Sequence, residues 1–205
     1  MARLSKSDHD RVLAAISAAE KQTAAEFAVA IVTSADDYAE LRLLIPALVA
    51  ILSSPLLLAT GLTYNPFWLA VIPSLLFLAI AGILMPDAVA VPLVPLSRRL
   101  RRVRQLAQSL FVELGLATPR DRAGVLLFVA QAERHVEILA GAGIGERIEA
   151  KTWQAVVDDF VQTARTKPLV EALIGAIEAM TDLLSNVFPP SEENQNEVPD
   201  RLVEL

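Results

Sequence analysis

Three glutamates are the residues of this chain whose type and placement could support chemistry. Glu26 opens an apolar segment of strand length, and Glu133 precedes a second strand-like segment that contains Glu137. Carboxylate oxygens are the ligands that hard divalent cations prefer. If the three side chains meet near a strand edge, they could bind such a cation. The alternative interpretation is ordinary surface charge, and the sequence leaves both open.

Other patterns of catalytic residues are weaker. Gly141, Gly143 and Gly145 follow a strand-like segment but lack the Lys-Ser/Thr pair of a phosphate-binding loop. The two histidines, His9 and His135, show no metal-ligand spacing, and we expect them to face solvent. The chain has no cysteine, which excludes disulfides, thiolate catalysis and cysteine-ligated zinc. No catalytic residue is assigned from the sequence.

Hydrophobic periodicity predicts a small α/β domain whose parts lie on both sides of a long apolar segment. Apolar residues recur at helical spacing in four segments and form continuous or alternating runs in three strand-like segments. The predicted helices cover residues 7–22, 96–116, 153–164 and 169–184, and the predicted strands cover residues 26–33, 124–130 and 134–140. One strand precedes the apolar segment and two follow it. All three can join one sheet if the chain returns to the side that it left.

The apolar segment from Leu43 to Pro86 contains no Asp, Glu, Lys, Arg or His. Residues 43–61 and 67–85 each approach the roughly 20 residues that cross the hydrocarbon core of a bilayer. Tyr64 and Trp68 flank the break between them, and aromatic rings favour the membrane–water interface. Two core helices of a soluble protein are the alternative, but such helices rarely lack charge on every face. We therefore predict a two-helix transmembrane hairpin.

Arginines cluster just after the hairpin, and this charge pattern predicts its orientation. Positive residues close to a span tend to stay cytoplasmic, which predicts a multi-pass protein of the cell (inner) membrane with both termini in the cytoplasm. The cluster either only sets this orientation or also binds anionic lipid headgroups. A net charge of −6, and arginines without interleaved aromatics, argue against a nucleic-acid partner. The clustered residues are Arg98, Arg99, Arg101, Arg102 and Arg104.

Several segments together resemble the TPM-domain family. They are Thr23 to Val29, Thr118, Arg120 to Arg122, Gly124 to Val129, Glu133 to Ile138, Phe188 to Pro190 and Asn196 to Asp200. The resemblance implies an α/β/α sandwich, which in bacterial members contains an inserted hairpin. Some relatives in photosynthetic membranes are described as phosphatases or repair factors, and others as metal-binding. Similar sequences carry an acid after the last strand where this chain has Gly141, which weakens the transfer of a metal or phosphatase site.

We therefore predict a TPM-like α/β/α sandwich that is interrupted by a transmembrane hairpin. The expected function is a membrane-anchored interaction module that assists assembly or maintenance of a membrane complex. The expected partners are the lipid bilayer and either a membrane protein or a second copy of the chain. A metal-dependent phosphatase of the TPM family is the alternative. The predicted parts are the first helix and strand in residues 1–40, the hairpin in 41–86, the rest of the sandwich in 96–188 and a disordered tail in 189–205.

Overall fold

A computed structural model describes residues 4–117, 123–190 and 201–205 of the chain. The described residues divide into two compact units. We call the part up to Thr33 and from Arg102 onward the α/β unit, and Ser34–Arg101 the hairpin unit. The elements are α1 Lys6–Glu20, β1 Glu26–Val32, α2 Ala39–Ala59, α3 Pro66–Leu84, α4 Asp87–Leu93, α5 Leu96–Glu113, β2 Gly124–Ala130, β3 His135–Ala140, α6 Ala142–Gly145, α7 Ala150–Thr166, α8 Leu169–Ser185 and β4 Arg201–Glu204.

The α/β unit contains a four-stranded sheet with the order β3-β2-β1-β4. β1 pairs in parallel with β2 along all seven residues, from Glu26 opposite Gly124 to Val32 opposite Ala130. β2 continues into β3 as an antiparallel pair. Every residue of β1 and β2 is buried, which explains why both strands are continuous apolar runs rather than alternating ones. The prediction that strands from both sides of the hairpin share one sheet is confirmed.

Helices cover both faces of this sheet. On one face, Phe27, Val29 and Leu127 join the buried core together with apolar residues of α1, α7 and α8. On the other face, Leu126 and Phe128 are also fully buried. α5 supplies the cover there, since its Val103, Ala107 and Leu110 are buried and Nε of Arg104 lies 3.7 Å from Oε1 of Glu137, which is opposite Phe128. The predicted α/β/α sandwich is confirmed.

The fourth strand corrects the expectation of a disordered tail. Residues 191–200 lie outside the described part of the chain, but Arg201–Glu204 form β4 alongside β1, with Leu202 opposite Val29. Leu205 extends the pairing, because its N–H donates to the carbonyl of Ile31 at 3.0 Å and its carbonyl accepts from Thr33 at 2.8 Å. The physical reason is that the second edge of β1 needs hydrogen-bond partners. A short apolar segment at the end of a polar tail supplies them.

In the hairpin unit, α2 and α3 form the helix pair that the sequence predicts, and α4 is an additional short helix. Both long helices have the length and composition to cross a membrane, so they are candidate membrane spans. α2 begins at Ala39, four residues before the predicted span, and therefore includes Glu40 and Arg42. These charges are paired inside the hairpin unit, Glu40 with Arg98 and Arg42 with Asp87.

A hydrogen bond between the two helices compensates for a proline. Pro73 has no N–H, so within α3 it leaves the carbonyl of Leu69 without its helical donor. The hydroxyl of Ser54 on α2 donates to this carbonyl at 3.2 Å. Such compensation is what allows proline inside a helix when water is absent.

Candidate functional site

A cavity of about 600 Å³ opens at the carboxyl end of β2. Its walls come from the end of β2, the start of β3, the second half of α7 and the first residue of α8. Val129, Val136 and Phe160 form a buried apolar floor, and Val161 and Leu169 are half-buried beside them. Small-molecule sites in proteins typically measure about 300–1,000 Å³ and have mostly apolar walls. We call this cavity the β2–α7 pocket.

In the part of the chain that the structure describes, the polar side chains that line the β2–α7 pocket include two arginines and no carboxylate. They are Gln131, Arg134, His135 and Arg165. Both arginines are exposed at the rim, and His135 is half-buried. Among the described residues that line the pocket there is no Asp or Glu, so at neutral pH its formal charge is positive. A guanidinium binds a carboxylate or phosphate with two parallel hydrogen bonds, and the pocket therefore suits an anionic group attached to an apolar body.

The turn that carries Arg134 is held by the neighbouring strand. The N–H of Gln131 donates to the carbonyl of Val32 at 3.0 Å, and the N–H of Ala132 donates to Thr33 at 2.9 Å. Arg134 itself closes the turn by donating to the carbonyl of Gln131 at 3.2 Å. Its φ is +51°, in the left-handed region, which costs a residue with a Cβ about 1–2 kcal/mol. This turn places Arg134 at the rim of the pocket.

The three glutamates of the predicted cation site lie apart. Glu26 is at the amino end of β1, and Glu133 follows the carboxyl end of β2. Because β1 and β2 are parallel and in register over seven residues, the two carboxylates are at opposite ends of the sheet, roughly 20 Å apart. Glu137 lies in the middle of β3, near Arg104. The described residues contain no group of three His, Asp or Glu side chains placed to hold a metal ion.

Glu26 and Glu133 are also more buried than charged side chains at a protein surface. Glu26 is 5% exposed and Glu133 is 8% exposed. The structure therefore does not bring the three carboxylates together, and it buries Glu26 and Glu133 in the protein interior.

Comparison with known proteins finds a family match for part of the chain. The family model described as the TPM domain matches residues 89–183. The match includes α5, β2, β3, α6 and α7 complete, together with most of α8. The match covers 95 of the 205 residues of the chain. Every residue that lines the β2–α7 pocket lies within the matched part.

A solved structure extends the likeness to the whole fold. It is the NMR structure of the BA42 protein from the psychrophilic bacterium Bizionia argentinensis, which is 15% identical and superimposes with a TM-score of 0.62. The alignment covers 100% of this chain and 97% of that one. At this identity the likeness shows a shared fold and nothing about activity. No curated protein matches this chain.

Two segments that carry the resemblance to the TPM family meet in the structure, although both lie outside the matched residues. The hydroxyl of Thr23 donates to the carbonyl of Phe188 at 2.6 Å, and the N–H of Ala24 donates to the same carbonyl at 3.0 Å. This contact ties the end of α8 to the start of β1. Thr118, Arg120 to Arg122 and Asn196 to Asp200 lie outside the described residues.

The arginine cluster of α5 is partly engaged with carboxylates of its own chain. Arg98 pairs with Glu40, and its pKa is raised first by this hydrogen bond and then by the charge of the same carboxylate. Arg104 approaches Glu137, and Arg99 is half-buried. Arg101 and Arg102 are exposed. The cluster is thus a mixed surface, in which some cations serve intramolecular pairs.

Tyr64 and Trp68, which the sequence predicts to lie at the membrane–water interface, are both close to the connection between α2 and α3. Tyr64 is in the connection between α2 and α3 and is 71% exposed, while Trp68 is in the first turn of α3 and is 49% exposed. The ring of Trp68 meets Phe67 edge-on, with centroids 5.3 Å apart. All three rings are at the same end of the helix pair.

The pocket residues Arg134 and Arg165 were not predicted as site residues, and His135 was expected to face solvent. They are separated by about 30 positions and share no motif. The one local signal is an arginine–histidine pair directly before β3, in a turn that follows a buried strand. Arg165 lines the same pocket as that turn only because α7 packs against β3, and spacing in the sequence does not reveal this packing.

Proposed function

We propose that this protein is a membrane-anchored interaction module of TPM type. In this proposal α2 and α3 cross the lipid bilayer, and the α/β unit acts as a binding domain at the cytoplasmic face. The observation that carries the proposal is the exposure of large apolar side chains along both helices. Of the most apolar 18-residue stretch of each helix, only 6% is buried. Soluble proteins rarely leave apolar surface of this extent in water.

The chemistry of the helix pair supports lipid as its surroundings. Leu44, Ile51 and Leu56 on α2 are 63–70% exposed, and Leu78 and Ile83 on α3 are similarly exposed. Each such residue near the centre of a span favours insertion by about 0.3–0.6 kcal/mol. The Ser54–Leu69 hydrogen bond satisfies a backbone carbonyl that water would otherwise solvate.

The connectivity of the sheet supports a hairpin rather than a single span. β1 precedes α2 and β2 follows α5, yet the two strands pair along their full length. Only an even number of crossings returns the chain to the side it left. The arginines of α5 favour the cytoplasm as that side, which corresponds to a multi-pass protein of the cell (inner) membrane with both termini inside.

The module's role in this proposal is to assist assembly or maintenance of a membrane complex, with a membrane protein or a second copy of the chain as partner. The α5 cluster adds attraction to anionic lipid through its exposed Arg101. For the alternative, a metal-dependent phosphatase, the described residues offer no specific support, because Glu26 and Glu133 lie at opposite ends of the sheet.

Single cysteines provide a direct test, since the chain has none of its own. Leu62, 75% exposed between α2 and α3, and Glu113, exposed on α5, are the reporter positions. In a bacterial host we expect Leu62→Cys to react with an impermeant maleimide in intact spheroplasts, and Glu113→Cys only after lysis. Both variants are expected in the membrane fraction after alkaline carbonate. Release into the soluble fraction would refute anchoring, and labelling of both positions from one side would refute the hairpin topology.

A further inference from the structure

We propose that the β2–α7 pocket binds an aliphatic carboxylate, with the chain in the apolar cavity and the carboxylate at Arg134 and Arg165. All residues of this site belong to the α/β unit. The proposal is therefore independent of membrane anchoring, and each can fail without the other.

The shape and the lining of the cavity select an apolar chain. Its buried floor of Val129, Val136 and Phe160 is complemented by the half-buried Val161 and Leu169. Such walls offer no hydrogen bonds to a peptide backbone, and a peptide inserted there would bury amide groups without partners, which is costly. An aliphatic chain has no such groups. The walls thus favour a hydrocarbon over a peptide.

The charges of the rim select the other end of the ligand. Arg134 and Arg165 come from different elements, the β2–β3 turn and the last turns of α7, and both line the same cavity. No carboxylate among the described lining residues competes for them. His135 and Gln131 add further hydrogen-bonding groups to the lining of the cavity. A carboxylate at the mouth would meet two guanidinium groups while its chain leaves water.

The backbone of Arg134 adds an independent indication. Its φ of +51° lies in the left-handed region, which glycine and asparagine adopt at lower energy than arginine. Strained residues of this kind are concentrated at ligand sites. The strain also yields a useful variant, because Arg134→Asn removes the cation while it suits the turn.

The test is calorimetric titration of the full chain in lipid nanodiscs, with empty nanodiscs as the blank. Octanoate is the probe, octanol has the chain without the charge, and acetate has the charge without the chain. We expect binding of octanoate, much weaker binding of octanol and none of acetate. Decanoate should bind about tenfold more tightly than octanoate, because each buried methylene contributes about fourfold at most.

Variants assign the binding to this pocket. Arg134→Asn combined with Arg165→Gln should weaken octanoate binding about tenfold, whereas Lys151→Gln, an exposed change on the same helix α7, should leave it unchanged. Ala164→Trp, which fills the cavity from α7, should abolish binding without loss of helical circular dichroism. The proposal is overturned if octanol binds as well as octanoate, if Ala164→Trp binds normally, or if no probe binds. It is also overturned if a short apolar peptide with a free carboxyl end binds and octanoate does not.

Discussion

Replacement of Ile51 by lysine distinguishes lipid from water as the surroundings of α2. Ile51 is 70% exposed and lies near the centre of the candidate span. In water, an exposed isoleucine-to-lysine change is close to neutral, within about 0.5 kcal/mol. In a bilayer the same change places a charge in hydrocarbon. The two environments therefore predict different results for one substitution.

The expected magnitude follows from the composition of the span. Lysine at a span centre costs about 2.5–3.5 kcal/mol and the lost isoleucine contributed about 0.3–0.6, so the change costs about 3–4 kcal/mol of insertion free energy. The ten Leu, Ile and Val residues of positions 43–61 together contribute about 3–6 kcal/mol. Ile51→Lys therefore removes half or more of the driving force for insertion of this helix.

The assay combines Ile51→Lys with the Leu62→Cys reporter. We expect external labelling of Leu62→Cys to fall strongly, and the carbonate-resistant fraction to fall with it. Val112→Lys is the matched control, because Val112 is 66% exposed on α5 in the α/β unit and should tolerate lysine without effect on either measurement. Equal behaviour of the two variants would refute the reasoning, since it would mean that water already surrounds α2.

Three further predictions concern stability and can be checked by thermal unfolding of the purified chain. A Cβ at Gly124 would lie 2.2 Å from the backbone oxygen of Leu116, so Gly124→Ala should lower the free energy of unfolding by about 1–3 kcal/mol. A Cβ at Gly175 in α8 meets nothing within 4 Å, so Gly175→Ala should raise the free energy of unfolding by about 0.5–1 kcal/mol. Equal melting temperatures would contradict this packing. Ser54→Ala should cost about 0.6–1.7 kcal/mol through the lost bond between the helices, and Ser74→Ala, which loses only a bond within its own helix, should cost less. Arg134→Asn should raise the melting temperature through relief of about 1 kcal/mol of backbone strain, and a lower value would exclude strain at this turn.

Local patterns were sufficient to predict the elements that bury a continuous face. β1 and β2 read as uninterrupted apolar runs because both faces of the sheet are covered, and α7 shows its buried Val156 and Phe160 at helical spacing. The helix pair of α2 and α3 could be predicted equally well, because the absence of charge over the length of two helices can be seen in the sequence alone. These features depend on composition and period alone.

Features that depend on strand register or on packing between distant elements could not be predicted in the same way. The distance between Glu26 and Glu133 follows from the parallel pairing of β1 with β2, which spacing in sequence does not encode. The pocket rim joins a turn to a helix that begins 16 residues after it. β4 has only four residues, too few for a pattern, and its pairing is decided by the open edge of β1.

The central position of β1 has a consequence for the order in which the protein is made. Its neighbours β2 and β4 both come later in the chain, and β2 begins about 90 residues after β1 ends. At typical synthesis rates of about 5–20 residues per second, roughly 5–20 s pass between the synthesis of β1 and that of β2, its first pairing partner. If α2 and α3 enter the bilayer as they emerge, membrane insertion is finished before the sheet can begin to form. The nascent β1 is then an exposed, aggregation-prone segment until β2 has been synthesised.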